Sequence, residues 1–305
     1  MMHVRIASFN SKGKPMQTVF DTGQVLARRR RAFRDPVEGA DFLMRHAAQD
    51  LALRLSTTGR TFARAGVLHC LTGHAREALA ASGKVQGIVS VEADALFPAH
   101  QADTLTAGPE TLGLEPASLD LAVSLLTLQD VNDTPGLLAQ VRQVLKPDGL
   151  FLGAMAGTGT LAELRESLLA AETEITGGAA PRVHPFADVR TAGALLQRAG
   201  FALPVTDFEN LTVRYADPLA LLRDLRAMGA TNALAGRSRK PLRRDVLARA
   251  MQVYAERFSD PDGRIRATFS IVWLSGWAPD PSQQKPLKPG SASHSLAEVL
   301  GRQGK

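Results

Sequence analysis

The chain has 305 residues, 45% of them apolar or aromatic and 22% charged, with a formal net charge of +6 and one cysteine, Cys70. That length suits one enlarged α/β domain with a full core, and no run approaches the roughly 20 apolar residues that span a bilayer. A lone cysteine excludes an internal disulfide and a cysteine-cluster metal site; a cytoplasmic protein is expected, with a cleaved organelle-targeting leader as the alternative, because Arg5, Lys12 and Lys14 stand in an acid-free N-terminal stretch.

Residues 1–20 read as irregular, broken by Gly13 and Pro15. The run LARRRRAFRD over 26–35 carries Arg28, Arg29, Arg30 and Arg31; without an aromatic platform or a DNA-reading motif it reads as a solvated or partner-facing helix, and nucleic acid is not the expected partner. Over 41–56, Leu43, Met44, Ala47, Ala48, Leu51 and Leu55 recur at spacings of three and four, predicting an amphipathic helix. A strand over 66–70, a helix over 75–82, Gly83 as a left-handed cap and a strand over 87–91 then form a right-handed βαβ unit.

The apolar run over 118–126 suits a buried parallel strand, with Asp120 within it as an anchor for neighbouring backbone N–H groups. A helix over 134–145 is expected with Thr134 as N-cap and Pro135 in its first turn, then a turn at Pro147, Asp148 and Gly149 and a strand over 150–155. Helices over 161–174 and 189–199, strand pieces over 202–205 and 211–215, helical sequence over 217–258 and a last strand over 267–278 complete the alternation, with Trp273 and Trp277 on one side of that strand. The tail from Pro279 reads as extended or disordered unless docked. The expected fold is a doubly wound Rossmann-like sheet, divided as 1–60, 61–216, 217–278 and 279–305, with its ligand crevice beyond the strand carboxyl ends.

The order LEPASLDLAVSLL, then VLKPDGLFLGAM, then a late strand after a helical insertion resembles the class I S-adenosylmethionine-dependent methyltransferases. The blocks PRVHPFADVR, LRDLRAMGATNAL, YAERFSDPDGRIRATF and WAPDPSQQKPLKPGSA are similar to bacterial relatives of the mitochondrial complex I assembly factor 5, a branch itself similar to the malonyl-carrier-protein O-methyltransferases. The resemblance implies S-adenosylmethionine as cofactor. Thr72 and Gly73 match the first turn, Glu92 the ribose-binding carboxylate, Glu110 the adenine side, where Gly108 replaces the usual acid, and Ser124 joins the cofactor set. Gln129 and Asp130 stand where the branch carries a His-Trp pair before Val131, Asn132 and Asp133, and Arg226 and Asn232 lie on the insertion that would lid the crevice over an acidic or amide-bearing substrate.

The departures gather at one site. The acid and the partner glycine of the first turn are replaced within 67–71, so an intact scaffold with an altered cofactor site is expected. No catalytic residue is singled out. His69, Cys70 and His74 do not read as metal ligands, because neighbours on a strand point to opposite faces. By resemblance, the expected function is action on a protein partner such as a respiratory complex subunit, where the branch implies arginine hydroxylation. The alternatives are methyl transfer to a malonyl carrier protein or small molecule, and a non-catalytic interaction module.

Overall fold

The computed structural model describes residues 18–97 and 103–283. The irregular stretch expected before residue 18 and the tail beyond residue 283 lie outside them. Two helices come first. Asp21 caps α1 (Thr22–Arg34) by accepting from the Gln24 N–H at 3.1 Å, and α2 (Phe42–Thr57) buries Met44, Ala47, Ala48, Leu51 and Leu55.

Strand β1 (Phe62–Leu68), α3 (His74–Ala81) and β2 (Val85–Glu92) form the expected parallel unit, in register through Val67↔Ser90 and Leu68↔Val91, and Gly83 closes α3 at φ +66°. Strand β1 begins four residues earlier than the sequence suggests and ends two earlier. The short edge strand β3 (Thr104–Thr106), not anticipated, pairs with the end of β2.

Strand β4 (Leu119–Leu125) is apolar on both faces, as a central parallel strand must be, and Asp120 accepts from the Arg64 N–H at 2.9 Å and pairs with Lys146. The N-cap of α4 (Thr134–Val144) is Asp133, not Thr134: its carboxylate accepts from the Gly136 N–H at 2.9 Å, whereas the Thr134 hydroxyl donates to the Val131 carbonyl. Strand β5 (Leu145–Ala156) includes the 147–149 turn, with Asp148 at φ +58° and a shift of register opposite Asp120.

Beyond β5 come α5 (Ala162–Thr176), α6 (Val189–Arg198), β6 (Ala202–Tyr215), α7 (Pro218–Ala227), α8 (Arg244–Phe258) and β7 (Ile265–Trp277). The two expected strand pieces are one continuous strand, β6, because β7 supplies an antiparallel partner along its length. The sheet order is β3-β2-β1-β4-β5-β7-β6, with β7 antiparallel between β5 and β6.

One face of the sheet packs on α4 and α6 through Leu137, Leu138, Val141 and Leu196; the other packs on α2 and α3 through Leu51, Leu55 and Leu79. Each such side chain, fully buried, contributes about 2 kcal/mol. A third cluster joins α5, α7 and α8 to β7 through Leu164, Leu221, Tyr254 and Phe269. Trp273 and Trp277 do share one side, under the guanidinium groups of Arg54 and Arg60 at 4.3 and 5.1 Å. The tail starts docked, since Gln283 donates to Asp148 and to the Ala278 carbonyl.

The end of α7 presses on α1. Gly229 sits at φ +73°, and a Cβ there would lie 3.1 Å from the Arg28 carbonyl oxygen and the Arg29 Cα. Gly229→Ala is therefore expected to lower stability by about 2 kcal/mol, read from chemical denaturation. An unchanged midpoint would mean that this contact bears no load.

Candidate functional site

The parallel strands end at one edge, where the first turn builds the floor of a cleft. Leaving β1, the backbone takes left-handed steps at His69 (φ +53°) and Leu71 (φ +61°). Glycine makes such steps freely; each costs other residues on the order of 1 kcal/mol or more. The turn thus keeps glycine-like geometry without glycine, held by His69 N–H donating to Val91 at 2.7 Å and Thr72 N–H to Cys70 at 2.6 Å.

Around that turn, polar atoms are buried without partners. His69 is 4% exposed and donates from Nε2 to the Thr111 carbonyl at 3.0 Å, which makes Nδ1 an acceptor, and Nδ1 has no partner. Burial lowers its pKa to about 4, so the ring is neutral. The Thr72 hydroxyl is likewise buried and unpartnered, and Thr72 lines the cleft. Gly73 precedes α3, its carbonyl accepting from the Glu77 N–H at 2.9 Å. Cys70 is fully buried and its thiol pKa is pushed up, chiefly by burial, which suits a small core residue rather than a nucleophile.

Glu92 closes β2 at 1% exposure. Its Oε1 accepts from the Leu71 N–H at 3.0 Å, while Oε2 is buried without a partner. Burial pushes this carboxyl up to about 8, against the opposing pull of the Leu71 N–H and the Arg29 charge. An oriented carboxyl group, largely protonated at neutral pH and with one free oxygen, one hydrogen bond behind a residue of the cleft wall, fits a ligand that brings hydroxyl groups of its own. The vicinal hydroxyls of a ribose are such groups, so on this point the residues fit S-adenosylmethionine.

The cleft has a volume of about 1260 Å3 and mostly apolar walls, including Phe33, Phe97 and Phe186. Its roof is α1 and the segment before it. Asp130 accepts from Arg29 Nη2 at 2.8 Å and from His184 Nδ1 at 3.0 Å, and His184 Nε2 accepts from the Ala233 N–H at 3.1 Å. Burial alone would raise the Asp130 pKa; the His184 hydrogen bond and the Arg29 charge hold it below the usual carboxylate range. Asn132 accepts from the Val19 and Phe20 N–H groups at 2.9 Å, and the Phe20 ring lies 5.1 Å from that of His184.

The reading of the arginine run as a solvated or partner-facing helix therefore fails at Arg29, whose side chain is 10% exposed, whereas Arg30 stays exposed while it pairs with Asp94. Their acids lie far along the chain, where local charge patterning gives no signal. His184 was also missed, although it stands in the quoted block PRVHPFADVR.

Of the other expected residues, Gln129, Asp130, Arg226 and Asn232 line the cleft. Gln129 ties β4 to β5, donating to the Leu126 carbonyl at 2.6 Å, and Asn232 donates to the Pro181 carbonyl at 2.8 Å. Of the expected cofactor residues Thr72 alone lines the cleft; Gly73, Glu92, Glu110 and Ser124 are not among the lining residues. Both Glu110 oxygens accept backbone N–H groups, from Asn132 at 2.9 Å and Asp133 at 3.3 Å, which commits this side chain to the α4 entry rather than to an adenine. Ser124 is buried against the Thr127 hydroxyl at 3.4 Å. His69 and His74 diverge, the second meeting Asp41 at 2.5 Å.

Because the folded protein holds Glu92 near 8 where an unfolded chain has about 4.5, this group favours folding at low pH, and that contribution is lost as pH rises through 8. Glu92→Gln removes the titration. The variant should gain up to about 4 kcal/mol relative to the parent between roughly pH 5 and pH 8, read from denaturation curves. A constant difference across that range would place the carboxylate in a solvated site.

A family model described as a methyltransferase domain matches residues 68–153. Arginine-hydroxylase NDUFAF5, mitochondrial, of Danio rerio is 37% identical over 264 residues, 85% of this chain and 82% of that protein; its name gives the cytoplasmic expectation no support. Malonyl-acyl-carrier-protein O-methyltransferase of Laribacter hongkongensis is 38% identical over 181 residues, 59% of this chain and 58% of that protein. Among solved structures, the YcgJ protein of Bacillus subtilis superposes with a TM-score of 0.52 at 16% identity, covering 77% of this chain and 99% of that one, a likeness of fold. The sheet order, the matched family model and the extent of identity agree: the chain belongs to the class I S-adenosylmethionine-dependent methyltransferase family, in the branch that holds arginine-hydroxylase NDUFAF5.

Proposed function

We propose that the chain is a complex I assembly-factor-type protein that binds S-adenosylmethionine at Glu92 and receives a side chain of a protein partner in the cleft beside it. The observation that carries this is the identity to arginine-hydroxylase NDUFAF5 across 82% of that protein, together with the oriented, half-unpartnered Glu92 carboxylate. Glu92 would accept from the ribose hydroxyls and Thr72 would offer its hydroxyl to the cofactor. When bound, S-adenosylmethionine supplies an electrophilic methyl group on a sulfonium. The residues of the chain bind, orient and exclude water: Leu71, Phe97 and Phe186 wall the cleft, and Asp130, fixed by Arg29 and His184, is the partly buried acid facing the partner's side chain. Arg226, on the exposed rim, supplies a cation for an acidic or amide-bearing neighbour of that side chain.

A second reading is supported by the 38% identity to the malonyl-acyl-carrier-protein O-methyltransferase: methyl transfer to a carrier-bound carboxylate.

Calorimetric titration with S-adenosylmethionine tests what both readings share. Micromolar binding is expected, weakened about tenfold or more by Glu92→Ala, with loss of the hydrogen-bond acceptor for the ribose hydroxyls as the cause. No heat at millimolar ligand would overturn both. Incubation with a malonyl carrier protein then separates them: a gain of one methyl mass on the carrier establishes the second reading, and an unmodified carrier with intact cofactor binding supports the first.

A further inference from the structure

Next to the roof of the cleft, arginines collect with too few acids. Arg28 is partly buried on α1, and its Nη1 is enclosed without a hydrogen-bond partner. Its guanidinium pKa is lowered by burial first, then by repulsion from Arg237 and Arg31, with Asp21 as the opposing charge. That acid is already shared. Asp21 caps α1 through the Gln24 N–H and pairs with Arg237 at 3.1 Å, while Arg239 also acts on it. Arg237 spends a further donor on the Leu234 carbonyl at 2.8 Å. Among the described residues, Arg28, Arg31, Arg226 and Arg239 form no ion pair.

The cluster borders the cleft. Arg28 precedes Arg29, which lines it; Arg226 lines it from α7, and Gly229 locks the end of α7 onto the backbone of Arg28 and Arg29. Packed like charges with an unsatisfied buried donor are costly, and anionic oxygens relieve both costs at once. These cations are guanidinium groups, whose planar forks match carboxylates in bidentate pairs.

We infer that the cluster of Arg28, Arg31, Arg237 and Arg239 at the rim of the cleft is a docking site for an acidic segment of the protein partner, which presents its neighbouring side chain to the cleft. This rests on the reading that the cleft receives a protein side chain. The site sets which sequences reach the cleft, since carboxylates flanking the residue presented would steer and register it.

The test uses the full chain and a fluorescein-labelled hexaglutamate peptide in an anisotropy titration, with a single-stranded oligonucleotide of equal charge as comparison. The peptide should bind, bind less tightly as salt rises, and lose about tenfold or more in the double variant Arg31→Gln, Arg239→Gln. It should also raise the melting temperature of the parent and not that of the variant. Unchanged affinity in the double variant, or tighter binding of the oligonucleotide than of the peptide, overturns the inference. S-adenosylmethionine titrated into the same variant should bind as it does to the parent. Peptide binding lost with cofactor binding kept is the expected pattern, whereas failure of the cofactor alone in both proteins would count against the function proposed above and leave the docking site standing.

Discussion

Asp130 is the residue on which the geometry of the cleft depends. It lies between the carboxyl end of β4 and the start of α4, and it takes hydrogen bonds from an arginine 101 positions earlier and a histidine 54 positions later. Three stretches of chain that share no secondary structure are thereby fixed around one partly buried carboxylate. The charge is tolerable because both oxygens are used and a guanidinium stands beside it; removing either partner would leave a buried ion uncompensated. Asn132, two residues on, extends the same clasp to the backbone of Val19 and Phe20. The roof of the cleft is thus held by polar bonds beside a small apolar cluster of Phe20, Val25, Ala233 and Leu234, while the sheet below it rests on larger apolar cores.

The floor is arranged on the opposite principle. Glu92 is deep, oriented by one N–H and left with a free oxygen, and beside it His69 and Thr72 also keep unpartnered atoms. Such groups lower the stability of the protein standing alone, because buried polar atoms without partners forfeit their hydration. A ligand with several hydroxyl groups returns those bonds. Local instability at the floor and polar rigidity at the roof thus stand side by side in one cleft.

Much of the scaffold was legible in the sequence because its signals are local. The stripe of α2, Pro135 in the first turn of α4 and the glycine ending α3 each declare themselves within a few residues. What was hidden depends on partners far away. The continuity of β6 is enforced by β7 across a helical insertion, and β3 is too short for any periodicity to show. The arginine run reads as solvent-facing because its neighbours are charged, yet Arg29 faces an acid from another part of the fold. Glu92 could be named from resemblance, but its burial and its raised pKa are properties of the packed site alone.

The left-handed steps at His69 and Leu71 carry a consequence for recognising proteins of this kind. The usual marker of the first turn is glycine, chosen because it permits the backbone path. Here left-handed steps occur at residues other than glycine, and tertiary contacts to Val91, Thr111 and Glu92 enforce what glycine would merely allow. Conformation has been transferred from the residue to its enclosure. A pattern that counts glycines misses these two left-handed residues, whereas one that counts backbone angles finds them.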